Sequence, residues 1–166
     1  LLRELGTGKE VNIGNVAEYA FDKMGGRLAL VIDAQGQAGN GLQLRDMAKG
    51  TVVSLDNDKA AYKSLAWTER GEALAVLRGK EDKAYEDKLW SVLAFDGFGG
   101  PKGPRKIVYD PAADKSFPEG MTVSPNRVPE WTESFDAILF GIQDAKKKKD
   151  ADLKGANEAK TGADAP

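Results

Sequence analysis

The 166-residue sequence contains no cysteine and no histidine. Without cysteine there are no disulfides, thiolate metal sites or cysteine nucleophiles. Without histidine the commonest general base and zinc ligand is missing, and a Ser-His-Asp triad cannot be assembled. Lys and Arg number 24 against 26 for Asp and Glu, a net charge of −2. The chain therefore lacks the basic excess of a dedicated nucleic-acid binder. No apolar run approaches the ~20 residues that span a bilayer. What is present is 41% apolar and 30% charged, the composition of a folded chain rather than a disordered one. The length suits one domain with a sizeable core. No catalytic, cofactor-binding or metal-ligating set is complete within these residues.

Residues 1–145 read as the folded region and 146–166 as a charged loop or tail. That last stretch opens with four lysines, Lys146 to Lys149, is rich in Ala, Asp and Gly, and has no aromatic residue. A polybasic contact is the other reading of the run, but Asp150, Asp152, Glu158 and Asp164 dilute its charge. The chain opens Leu1-Leu2-Arg3-Glu4 without an initiator Met or a signal-peptide pattern, and is read as a segment of a longer protein.

Self-similarity is the most informative feature. Phe21, Trp67 and Trp131 each precede a polar turn, and an apolar run opens seven residues after each aromatic, at Leu28, Leu74 and Ile138. The turns read Asp22-Lys23-Met24-Gly25, Thr68-Glu69-Arg70-Gly71 and Thr132-Glu133-Ser134-Phe135. A second repeat aligns residues 3–13 with 45–55, placing Gly8 and Gly50 where a hairpin turn favours positive φ. Residues 108–115 read as a looser third copy of this hairpin.

Together these predict units of four short antiparallel strands. The first unit is expected at 18–21, 27–32, 42–46 and 52–55, and the second at 64–68, 73–78, 89–95 and 106–109. Apart from short stretches near 83–88 and in the tail, no segment carries a helical apolar period. Leu89 to Phe95 is apolar on both alternating faces, as are 28–32 and 138–142. A sheet with one wet face alternates apolar with polar, so these strands are covered on both sides. A β-sandwich with buried central strands would share that property but not the repeat. The expected fold is therefore all-β: a partial β-propeller of about three four-stranded antiparallel blades, incomplete at both ends. Uncovered blade faces and strand edges predict self-association of the isolated chain.

Residues 39–78, AGNGLQLRDMAKGTVVSLDNDKAAYKSLAWTERGEALAVLR, resemble the propeller domain of bacterial serine peptidases of the prolyl oligopeptidase family. The aromatic-turn-apolar segments are similar to the repeats shared with TolB-like propellers, in which the turn runs Ser-Pro-Asp-Gly. Here that motif is degenerate, and the third copy lacks the Gly. The resemblance implies a non-catalytic propeller that gates or positions peptides for an α/β-hydrolase domain absent from this chain. It also leans towards export in bacteria. The alternative is a TolB-like interaction propeller with no attached enzyme, and a glycosidase or lyase propeller ranks last. None of Ser54, Ser64, Ser91, Ser116, Ser124 and Ser134 lies in Gly-x-Ser-x-Gly, and no Glu-Glu pair occurs.

Four other segments invite a functional reading and a plainer one. The Gly-rich stretch 33–41 is spaced like a phosphate cradle, but Leu42-Gln43 follows where Lys-Ser/Thr is needed, so it reads as an inter-strand loop. Asp56-Asn57-Asp58 alternates oxygen ligands as calcium loops do, yet the following residues do not continue the pattern. It reads as a polar turn between units. Glu81-Asp82 and Glu86-Asp87, mixed with Lys80, Lys83 and Lys88, form a carboxylate pair only if buried; otherwise they make a solvated loop. The Gly97 to Pro104 insertion is rich in turn residues and is expected at one rim. Trp67 and Trp131 are read as packing residues.

Overall fold

The computed structural model describes residues 1–149. Its regular structure is almost entirely strand, with two single-turn 3-10 segments at Gln35–Gln37 and Pro111–Ala113. Strands β3 (Val16–Phe21), β4 (Arg27–Ile32), β5 (Gly41–Asp46) and β6 (Val52–Asn57) form an antiparallel meander. Strands β7 (Ala61–Trp67), β8 (Ala73–Lys80), β9 (Leu89–Asp96) and β10 (Arg105–Tyr109) form a second. Ahead of these, β1 (Leu2–Arg3) pairs with β2 (Glu10–Val11). After them come β11 (Met121–Val123), β12 (Glu130–Trp131), β13 (Ile138–Leu139) and β14 (Ile142–Asp144).

The seven-residue spacing of the sequence is the register of a hairpin. Phe21 pairs with Leu28, Trp67 with Leu74, and Trp131 with Ile138. The three turns close alike: the amides of Asp22, Thr68 and Thr132 donate to the carbonyls of Arg27, Ala73 and Ala137 at 2.9, 2.9 and 3.0 Å. One turn position is left-handed in all three, held by Gly25 (φ 68°), Gly71 (φ 69°) and Phe135 (φ 59°). Glycine adopts that conformation without steric cost, whereas Phe135 does not. The 42-residue repeat is equally literal. Arg3 pairs with Glu10 as Arg45 pairs with Val52, and the amides of Gly8 and Gly50 donate to the carbonyls of Glu4 and Asp46, each at 2.8 Å.

The expected third copy at 108–115 is not a hairpin. Val108 and Tyr109 end β10, and Pro111 starts a 3-10 turn with Asp110 capping it. The hairpin equivalent to β5–β6 is β9–β10, with the Gly97 to Pro104 insertion at its tip. Nor do residues 83–88 form a helix.

The third hairpin is interrupted. β12 pairs with β13 and β11 with β14, but residues 124–129, Ser-Pro-Asn-Arg-Val-Pro, bulge between β11 and β12. Neither proline has an N–H to donate to the ladder, so continuous pairing fails there. Among the described residues this third unit is a single broken hairpin.

The second four-stranded sheet is buried on both faces, whereas the first is buried on one face and only partly covered on the other, where Tyr19 and Phe21 are exposed. One face of the first sheet supplies Ala29, Val31, Leu42, Leu44 and Leu55. These pack against Ala60, Tyr62, Leu74, Val76, Leu93 and Phe95 of the second. The opposite face of the first sheet, with Leu28, Leu30 and Ile32, lies under Leu2, Ile13 and Met47. The opposite face of the second sheet, with Leu77 and Val92, meets Val123, Ile138 and Phe140 of the third unit. The three hairpins thus lie in separate, successively stacked sheets.

Candidate functional site

The β3–β4, β7–β8 and β12–β13 hairpins meet through one repeated contact. The indole N–H of Trp67 donates to the carbonyl of Ala20 at 3.1 Å, and that of Trp131 donates to the carbonyl of Ala66 at 3.2 Å. Ala20 and Ala66 each precede the aromatic of their own hairpin, so Trp67 and Trp131 each cap the hairpin before their own. Phe21 has no N–H to offer and is exposed.

Beyond this shared bond the two junctions differ. Between the first and second turns, Lys23 pairs with Glu69 at 3.1 Å and the Arg27 guanidinium donates to the Gly71 carbonyl at 3.3 Å. Phe98, from the insertion, packs against Trp67 at a tilt of 59° with ring centroids 5.3 Å apart and lies beneath Arg27. The insertion therefore turns inward at Phe98 and plugs this junction. Between the second and third turns Ala73 and Ala137 stand where the first turn has Arg27. A cleft of about 920 Å3 remains there, lined by Trp67, Glu69, Arg70, Glu130, Trp131 and Phe135 among others. It combines aromatic rings with side chains of both charges.

A second polar centre is buried between the sheets. The Asp56 side chain, on β6, is only 7% exposed. Its Oδ1 lies 2.5 Å from Lys106 Nζ of β10. Its Oδ2 accepts from the Tyr62 hydroxyl at 2.9 Å and lies 3.5 Å from Arg78 Nη1 of β8. Asp58 pairs with Lys80 at 2.6 Å and with Arg78 at 3.7 Å. Burial, reinforced by the Asp56 carboxylate, pushes the Tyr62 phenol well above its ordinary range. The Lys80 ammonium holds the Asp58 carboxyl below the usual carboxylate range. Arg78 Nε is buried without a partner. The carboxylates are saturated by cations, so the calcium reading of Asp56-Asn57-Asp58 gives way to an ion-pair clamp joining four strands. Among the described residues no group of three or more His, Cys, Asp or Glu is placed to hold a metal ion.

The other sequence candidates resolve as structure. The 33–41 loop is filled by Asn40, which is 1% exposed. Its amide nitrogen donates to Asp33 Oδ1 (2.8 Å) and the Ala60 carbonyl (3.0 Å), while its oxygen accepts from the Ala34 amide (2.7 Å). Glu81, Asp82, Glu86 and Asp87 are exposed. Ser116 and Ser134 donate to Asp114 and Asp136 at 2.6 and 2.7 Å. Hydroxyl donors hold both carboxyls below their ordinary range, which makes them poor bases for activating a serine. Ser64 is instead part of a bulge in β7, with φ 65°, whose Ser64 and Leu65 amides donate to the Glu18 carboxylate at 2.7 and 2.8 Å.

Sequence reasoning missed Tyr62, Arg78, Lys106, Phe98 and Glu18. Only the Asp56 alternation hinted at the clamp; the others carry no local mark. Among the described residues no helix is long and apolar enough to cross a membrane. No protein-family model matches the chain, and no curated protein matches it.

Proposed function

We propose that the chain supplies successive blades of a β-propeller. Its role is non-catalytic: it gates or positions peptides for an α/β-hydrolase domain of the prolyl oligopeptidase kind, carried elsewhere in the protein. The observation behind the propeller is the repeated indole-to-carbonyl bond, from Trp67 to Ala20 and from Trp131 to Ala66. The same contact joins consecutive sheets, each greasy on both faces, as wedges of a ring require. The peptidase connection rests on the resemblance of residues 39–78. Assay of the isolated chain should show no peptide hydrolysis; turnover blocked by a serine-directed inhibitor defeats the reading. In the natural gene, Gly-x-Ser-x-Gly followed by Asp and then His outside residues 1–166 supports it.

One observation favours an interaction scaffold of the TolB-like type with no enzyme attached. The open cleft between the second and third turns is wide enough for a partner's extended segment. A natural gene coding for further blades and no nucleophile motif selects that reading. In either case the exposed Tyr19, Phe21, Val53 and Ile107 support self-association of the chain expressed alone. Gel filtration at high concentration tests it, and a sharp monomer peak counts against uncovered blade faces.

A further inference from the structure

Two segments of opposite charge, about sixty residues apart in the chain, lie side by side. The loop at 81–88 joins β8 to β9 and holds Glu81, Asp82, Glu86 and Asp87 against Lys83 and Lys88. The run Lys146 to Lys149 begins two residues after β14 ends. The Glu86 amide donates to the Lys146 carbonyl and the Lys148 amide donates to the Ala84 carbonyl, both at 2.8 Å. Between them Tyr85 and Lys147 form an antiparallel bridge. Lys148 also shares a small hollow of about 320 Å3 with all four of the loop's carboxylate residues.

We propose that this is an ionic latch: the acidic loop of the second sheet receives the lysine run of the same chain and so keeps the third unit docked. The need follows from the fold. The third unit is held by strands of two or three residues, and an open cleft of about 470 Å3 runs along its junction with the second sheet. The lysine run follows β14 so closely that pairing it to the loop anchors the unit's far end. The two backbone bonds set the register. Among the described residues the loop's one close ion pair is internal, Lys88 to Glu81 at 3.8 Å, so the lysine run acts on the loop's excess of carboxylates at longer range, an attraction that is screened once the Debye length falls to ~3 Å in 1 M salt. The latch therefore opens as ionic strength rises, while the buried sheets do not respond. This inference does not depend on the propeller or peptidase readings.

Amide hydrogen exchange of the full chain by NMR tests it. Raising NaCl from 20 mM to 1 M should speed exchange at Glu86 and Lys148 about tenfold, as expected when a longer-range attraction between exposed charges is screened. Ser124, whose amide donates to Gly141 at 2.8 Å within the third unit, should follow in the same direction. Val76 and Leu93, deep in the second sheet, should be unchanged. A chain carrying Lys146→Gln, Lys147→Gln, Lys148→Gln and Lys149→Gln should exchange fast at Glu86 and Gly120-side amides such as Ala145 at both salt concentrations. Salt-independent exchange at Glu86 and Lys148 in the natural chain overturns the latch. So does salt dependence at Glu86 that survives the four substitutions, or acceleration that extends to Val76 and Leu93. A Ser124 amide that does not follow overturns the docking role.

Discussion

The junction between the two four-stranded sheets and the junction between the second sheet and the third unit use the same indole-to-carbonyl bond, yet they are built to different depths. At the first, eleven buried side chains from both sheets form one cluster, an ion-pair clamp spans it, and Phe98 plugs the turn end. At the second, Leu77, Val92 and Val123 are buried, while Trp90, Tyr109, Ile138 and Phe140 are only partly so. Clefts remain beside it. The shared bond sets where one hairpin sits on another. How firmly it sits depends on what fills the space around that bond.

The sharpest way to break this contrast is to truncate the two tryptophans. Trp67→Ala should cost about 3–4 kcal/mol, because the ring packs on the main core and on Phe98 as well as bonding Ala20. Trp131→Ala should cost no more than about half as much, given its thinner surroundings. Urea denaturation of the two variants decides, and equal losses would erase the distinction between the junctions.

Removing the clamp should come next. Asp56→Ala leaves Lys106 and Arg78 facing each other without the carboxylate between them, an expected loss of about 3 kcal/mol. Asp58→Ala, at a wetter pair, should cost under about 1 kcal/mol. Chemical denaturation midpoints compare the two.

The equivalent turn glycines sharpen the comparison further. A β-carbon on Gly71 would come within 2.9 Å of Asp22, whereas one on Gly25 meets nothing. Both share positive φ, so Gly25→Ala should cost about 1 kcal/mol and Gly71→Ala about 2 kcal/mol. Thermal melts would separate them.

A further effect concerns alkaline pH. Tyr62 has a folded-state pKa raised by burial and by Asp56. Such a phenol contributes stability that is intact below the unfolded value near 10 and is lost as pH climbs past it. Between pH 10 and 11 the natural chain should lose about 1 kcal/mol more than Tyr62→Phe. Parallel pH profiles in urea would remove Tyr62 from the clamp.

The hairpins were legible in the sequence because their spacing is local. Seven residues from Phe21 to Leu28, or from Trp67 to Leu74, leave room for only one turn and one register. Double-sided burial was legible in runs such as Leu89 to Phe95. The clamp was not, because Asp56 and Lys106 lie 50 residues apart on outer strands whose meeting depends on how the sheets stack. The acidic loop and the lysine run were each visible, but nothing local marks them as neighbours. The third hairpin copy was misplaced at 108–115 because the true hairpin tip is the insertion that follows Asp96, which breaks the repeat spacing.

The two interface tryptophans also make the molecule its own optical gauge. Trp67 reports on one junction and Trp131 on the other, and the sequence has only Trp90 besides them. With Trp90 and one of the pair changed to Phe, the remaining indole's emission colour would track a single seam during unfolding. Two such chains would tell whether the stack parts in one step or peels from its looser end.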